Sequence, residues 1–346
     1  MDYHLNYRVL FTFFAIITLS FCFYPNLASA LTITPTRFEI SGDPGATLNE
    51  EMLIINETDQ TETYYSSFSN FEAQGESGNP AFVDPKEGLG MWMQTDGSIT
   101  LAPRQQKTVP IKITIPKNAE PGGHFAVVFW GTTNPNSGSN LSVGAKTGIL
   151  VLLSVNGEVK EEAGLLSFNT VDNQFFFNTL PVSLEYRFKN EGGDRIKPSG
   201  QVTIRNTIFL PAAYLDANKV EGNVLPRSTR KINVDWIKHE RGEGYVAPTN
   251  FVSKFFSDAY FQWKNFAVGL YSANLNVAYG SQGTQVKKTA FFFVFPWQLL
   301  IILFVIFIIV FWGCKKLIKR YNKFIIEKAT GNNRTGTGVP PKSFHA

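Results

Sequence analysis

Phe291 to Trp312 is apolar at every position except Gln298. About twenty such residues, at 1.5 Å of helix rise each, match the ~30 Å hydrocarbon thickness of a bilayer. Trp297 and Trp312 lie near the two ends, where interfacial aromatics belong, and Lys315, Lys316, Lys319, Arg320 and Lys323 follow at once. A basic cluster beside a span marks the cytoplasmic side. The sequence therefore predicts one C-terminal transmembrane helix over 293–313 and a basic cytoplasmic tail over 314–346, anchored by those five cations.

The other end fits the same topology. Arg8 precedes the apolar run Val9 to Phe23, and Pro25 and Ala28-Ser29-Ala30 follow. That is the order of a signal peptide over 1–30 with cleavage after Ala30. An uncleaved anchor, or lipidation at Cys22, are the alternatives. On this reading residues 31 to about 292 are exported. The tail beyond Trp312 holds eight Lys or Arg against one Glu, so the exported part is net acidic although the chain is +4 overall. The basicity is a topology signal and predicts no nucleic-acid partner. The two cysteines, Cys22 and Cys314, both lie outside the exported part, which must hold together by burial without disulfides.

Within the exported part strand signals dominate. Ile111, Ile113 and Ile115 alternate with Lys112 and Thr114. Val182 to Phe188, Ile232 to Trp236 and Leu275 to Tyr279 repeat the period of two, which sends one face to a core and the other to water. Asn56, Gly75, Gly97 and Asn156-Gly157 punctuate the runs as turns. The expected class is all-β: two immunoglobulin-like antiparallel β-sandwich domains, at 31–157 and 158–292.

One segment breaks the pattern. In "FVSKFFSDAYFQWKNF", residues 251–266, Phe251, Phe255, Ala259 and Trp263 recur at helical spacing, with Phe256 and Tyr260 beside them. This predicts a helical insertion. It either caps the second sandwich or offers Phe251, Phe255, Phe256, Tyr260 and Trp263 as an interface to a membrane or partner.

"LAPRQQKTVPIKITIPKNAEPGGHFAVVFWG" ends in a polar turn and a strand, Phe125 to Trp130, apolar on both faces. Gly122 and Gly123 are expected to supply positive φ to the turn. His124 has no neighbouring ligand at metal spacing and is expected at a strand edge. Ser228-x-x-Lys231, Ser272-x-Asn274 and Lys146-Thr-Gly148 imitate penicillin-binding motifs, but in the wrong order and without the helix that such a serine opens. No catalytic, cofactor or metal site is expected.

With the signal peptide, "ITPTRFEI", a "PGAT…LIINET" strand pair, "LAP…TVPIKITIP" and the glycine turn, the chain resembles the Gram-positive WxL-interacting proteins, which carry an N-terminal DUF916 domain. The resemblance implies a cell-surface protein whose first domain binds peptidoglycan and whose second meets a protein partner. The expected function is thus membrane-anchored binding or adhesion, with the bilayer, the cell wall and surface proteins as partners. The alternatives are a pilus-chaperone-like assembly factor that offers an edge strand to an envelope client, or a structural subunit of an envelope complex.

Overall fold

The computed structural model describes residues 31–134 and 146–331. The expected signal peptide, Cys22 with it, and the end of the basic tail fall outside the described residues. The chain divides into two compact units. Of the described residues, those up to 164 with 189–197 and 223–230 form one, and 165–188, 198–222 and those from 231 onward form the other. The division is thus not the single cut expected after residue 157. Backbone bonds give the reason for one of the returns: Glu191 N–H donates to Glu162 O at 2.7 Å and Gly123 N–H to Gly193 O at 3.0 Å.

The first unit is built from β1 (Leu31–Thr34), β2 (Arg37–Gly42), β3 (Thr47–Asn56), β4 (Glu62–Gln74) and β5 (Asn79–Val83). A single helical turn, α1 (Leu89–Trp92), precedes β6 (Met93–Thr95), β7 (Ser98–Leu101), β8 (Gln106–Thr114), β9 (Gly122–Gly131) and β10 (Lys146–Val155). They form two sheets, β1-β3-β8-β6 and β2-β10-β9-β4-β5, with β7 also on β4. The inward residues are those that the period of two selected: Ile111 and Ile113 of β8 face Val128 and Trp130 of β9 across one buried cluster with Ile149, Val151 and Leu153 of β10. The pairing is not wholly antiparallel. The chain changes sheet at Pro35, so that β1 pairs with β3 while β2 runs parallel to β10, Arg37 opposite Leu150.

The second unit adds β11 (Ala163–Thr170), β12 (Phe176–Phe177), β13 (Val182–Asn190), β14 (Ser199–Arg205), β15 (Pro211–Asp216) and β16 (Ser228–Trp236). After them come α2 (Phe251–Lys264), β17 (Gly269–Tyr279), β18 (Thr284–Val294) and α3 (Trp297–Gly331). A three-stranded sheet, β11-β13-β16, and a five-stranded one, β12-β18-β17-β14-β15, make the second sandwich. Trp236 is its central side chain. It meets Tyr271 edge-on at 5.0 Å between ring centroids and lies 6.0 Å from Phe292, within the range where aromatic pairs attract beyond simple burial.

The apolar run of the C-terminus is shared between two elements. Phe293 and Val294, inside the span expected over 293–313, are the last rungs of β18 after Phe291 and Phe292; Phe292 and Val294 are buried and Phe291 is exposed. A buried strand and a membrane helix are equally apolar, and Pro296, which has no N–H to donate, marks the change from one to the other.

Neutral polar anchors complete each sandwich. Asn56 is fully buried. Its Nδ2 donates to Gln60 O and Ala102 O at 2.8 and 3.0 Å, while Oδ1 accepts from Tyr64 OH at 2.9 Å and Thr58 N–H at 3.0 Å. Asn218 does the same in the second unit, donating to Pro198 O and Gly222 O and accepting from Gly222 N–H. Buried donors left without partners cost about 1–3 kcal/mol each. Asn56→Ala strands the Tyr64 hydroxyl and the loop carbonyls together, and is expected to lower stability by roughly 2–4 kcal/mol. Denaturant unfolding against the parent measures it; a change within ~0.5 kcal/mol, the size of an ordinary surface substitution, contradicts it.

Candidate functional site

α2 forms where the aromatic periodicity predicted it. Asn250 caps it, its Oδ1 accepting from Val252 N–H at 2.8 Å, and Asn265 closes the other end by donating its N–H to Phe261 O at 2.9 Å. Asn is a favoured residue at both ends because its short amide reaches the unpaired backbone groups there.

The helix has two faces. The inner one carries Phe255, Ala259 and Gln262. The Phe255 ring meets Trp297, the first residue of α3, at 5.7 Å. Gln262, 1% exposed, bonds through Nε2 to Gln298 Oε1 and accepts Leu299 N–H on its own Oε1 at 3.0 Å. Gln298 is 6% exposed. The one polar residue of the apolar run therefore has a purpose. It pairs with a second amide, and that amide also caps one of the backbone donors that the first turn of α3 cannot satisfy by itself.

Phe256, Tyr260 and Trp263 stand on the outer face with Val252, each more than half exposed, and Phe251 is exposed at the helix's first residue. The structure thus brings three of the five predicted interface residues onto one face, leaves Phe251 apart from them and turns Phe255 inward. Helix geometry explains this. At about 100° per residue, Phe256, Tyr260 and Trp263 fall within about 60° of one another, Phe251 lies about 180° from Tyr260, and Gln262 returns to within about 20° of Phe255. Lys264 lies over the Tyr260 ring at 5.0 Å. Behind the helix, Arg241 pairs with Asp258 at 2.7 Å and sits over Tyr245 and Phe261, each at 4.5 Å. Lys238 donates to Phe266 O at 2.7 Å, and burial pushes its pKa down.

α3 is the one described helix long and apolar enough to cross a membrane. From Trp297 to Cys314 it rises roughly 27 Å. The helix does not stop at the basic cluster. It continues to Gly331, so Lys315, Lys316, Lys319, Arg320 and Lys323 project from its exposed surface, with Lys315 over the Trp312 ring at 5.9 Å.

In the first unit Gly122 and Gly123 are the first two residues of β9. Positive φ belongs to Gly122 alone, at 116°. A Cβ there would meet Gly193 O at 2.5 Å, and one on Gly123 would meet the Phe125 ring at the same distance. Gly123 is needed for close approach and not for its φ. His124 pairs with Leu153 of β10 on one side, while the pairing of β4 with β9 stops at Ala126; its Nε2 lies 2.8 Å from Glu120 O, and its ring is 4.6 Å from Trp92.

The outward face of the β9 sheet is also apolar, as the unbroken run Phe125 to Trp130 indicated. Phe125 meets Phe71 at 5.8 Å and Phe129 meets Phe82 at 5.0 Å, covering Val127 and Leu152. β5 ends this sheet, with Phe82 and Val83 half-exposed. A recess of about 80 Å³ opens beside it, lined in part by Arg37, Leu150, Asn223 and Arg230. Small-molecule sites usually need ~300–1,000 Å³, so the recess suits a side chain or a few waters. Among the described residues no cluster of His, Cys, Asp and Glu is placed to hold a metal.

No family model and no curated protein matches the chain. Solved structures that match the chain include fimbrial chaperones. The class 5 fimbriae chaperone CfaA is 10% identical with a TM-score of 0.36, covering 75% of this chain and 99% of its own. The Escherichia coli chaperone DraB is 12% identical with a TM-score of 0.33, covering 76% and 97%. The CsuC–CsuE chaperone–tip adhesion subunit complex of Acinetobacter baumannii is 10% identical with a TM-score of 0.33, covering 76% and 98%.

The amide pair is open to a direct test. Gln262→Leu or Gln298→Leu alone leaves a buried amide unpaired and is expected to cost about 1–3 kcal/mol. The double variant should cost less than the two singles summed, because replacing both partners removes the unpaired group. Simple additivity in unfolding of the full chain in lipid nanodiscs would show that the pair carries no coupling.

Proposed function

We propose that this chain is a single-pass membrane protein whose β-sandwich units stand outside the membrane and bind a protein of the cell envelope. One observation carries the reading: β18 passes into α3 through Phe295 and Pro296 alone, and Gln262 fastens α2 to the first turn of the same helix. A domain held so closely to a span is suited to presenting surfaces at a fixed height above a bilayer. The aromatic outward face of the β9 sheet supplies apolar surface of the kind that marks protein contacts. Binding, and not catalysis, is the work proposed. The signal peptide expected from the sequence and the basic flank of α3 support a reading with the sandwiches outside and the tail inside.

A second reading, an assembly factor that pairs an edge strand with an envelope client, is favoured by β5. This short strand closes its sheet with Phe82 and Val83 half-exposed, and an open edge can accept an added strand through backbone hydrogen bonds. In that mode a client should slow amide exchange in β5 itself. In the first mode protection should fall on the aromatic face and leave the β5 amides unchanged. Binding to the wall polymer that the family resemblance implies is separated from both by sedimentation with purified sacculi.

Topology is the first thing to measure. With Cys22 and Cys314 replaced by Ser, a cysteine at Lys219 should react with a membrane-impermeant maleimide in intact cells. One at Lys328 should react only after the membrane is permeabilised. Labelling of position 328 in intact cells would reverse the orientation and end the proposal.

A further inference from the structure

Ile208, Phe209 and Leu210 occupy the loop between β14 and β15, and all three side chains are exposed, Phe209 to 74%. Single exposed apolar residues are ordinary, but three in succession on a loop tip are not. Phe209 also holds a φ of 61°, a left-handed conformation that a bulky side chain enters at a cost and that Gly or Asn would adopt more easily. No burial within the protein compensates for it.

The loop is rigidly built. Asn206 N–H donates to Leu210 O at 3.0 Å and Phe209 N–H to Asn206 O at 2.8 Å. Asn206 Oδ1 accepts from Ile208 N–H at 3.2 Å and from Leu210 N–H at 3.0 Å. The donors of Asn206, Ile208, Phe209 and Leu210 are therefore satisfied inside the loop. Hydrocarbon requires this of any backbone that enters it, whereas a loop in water has no need of it.

Sheet register fixes where the loop stands. Thr207 Oγ1 donates to Leu270 O at 3.0 Å. Gly269 and Leu270 pair with Val294 and Phe293 of β18. On the far edge Phe176, 67% exposed, pairs with Phe293 in parallel. The loop, Phe176 and the start of α3 thus share one end of the five-stranded sheet. With strands about 4.8 Å apart, the loop lies roughly 10 Å to one side of β18 and Phe176 about 5 Å to the other.

We infer that the Ile208–Leu210 loop, with Phe176, inserts into the interfacial layer of the bilayer that α3 spans. The inference rests on the reading of α3 as a span. It adds lipid contacts on both sides of the helix, so that the sandwich stands on its sheet end as well as on the helix. The occupant is lipid because the apolar tip lies level with the entry of the span and carries its own backbone bonds.

The test uses the full chain with Cys22→Ser and Cys314→Ser, reconstituted in phosphatidylglycerol–phosphatidylcholine vesicles. An NBD fluorophore is attached at Phe209→Cys and, in separate samples, at Phe304→Cys inside the span and at Lys219→Cys. Emission at position 209 should be blue-shifted relative to 219, quenched by lipids carrying a shallow nitroxide, and protected from aqueous iodide. Adding Ile208→Ser and Leu210→Ser should abolish the blue shift. If the label at 304 is in lipid while that at 209 behaves like 219, the span stands and the insertion is refuted. If the label at 304 is also open to iodide, the span itself fails, and the inference with it.

Discussion

The pair formed by Gln262 and Gln298 is the constraint on which the attachment of α3 to the second unit depends. Two neutral amides are buried against apolar surroundings, the Gln262 Nε2 donating to the Gln298 Oε1. Neutral groups suit this place, because a buried charge at the head of so apolar a helix would carry a far larger desolvation cost than an amide. Gln262 uses its remaining acceptor on Leu299 N–H, so one side chain joins the helices and completes the start of α3. With Phe255 against Trp297 beside it, the junction of sandwich and α3 is a packed contact and not a tether.

Fixing one face of α2 leaves the other uncovered among the described residues. Phe256, Tyr260 and Trp263 are exposed because Phe255, Ala259 and Gln262 face inward, Phe255 and Gln262 against α3. A cap on the sandwich needs only that inner face. The rest of the aromatic surface fits the boundary between water and lipid, where rings with one polar edge are stable. The two sandwiches use a related device at their loops: Asn56 and Asn218 bury an amide and bond it to loop backbone, Asn56 also to the Tyr64 hydroxyl, which holds the loops without disulfides.

Much of this was legible in the sequence because strand and helix periods are local properties. The alternation from Val182 to Phe188 and from Ile111 to Ile115 is the buried pattern of β13 and β8. The aromatic run from Phe251 foretold α2, and the apolar run foretold α3. What was illegible depends on partners far away in the chain. Gln298 looked like an imperfection in a span until Gln262, 36 positions earlier, was placed beside it. Phe255 could not be told from its neighbours until one face of α2 was assigned. Phe293 and Val294 read as membrane because a strand buried on one face and aromatic on the other is as apolar as a helix in lipid. The parallel run of β2 beside β10 follows from a change of sheet at Pro35 that no periodicity reports.

The account stands or falls on whether α2 lies at the membrane boundary. The full chain, with 5-fluorotryptophan at all six tryptophans and placed in nanodiscs, gives one fluorine signal for each, with Trp263→Phe identifying that of α2. Headgroup spin-labelled lipid should broaden the Trp263 signal strongly, while a water-soluble gadolinium chelate affects it less. Trp130 and Trp236, both buried, should resist either agent. A Trp263 signal that broadens with the chelate and ignores the spin-labelled lipid would put α2 in water, away from the bilayer, and contradict the account.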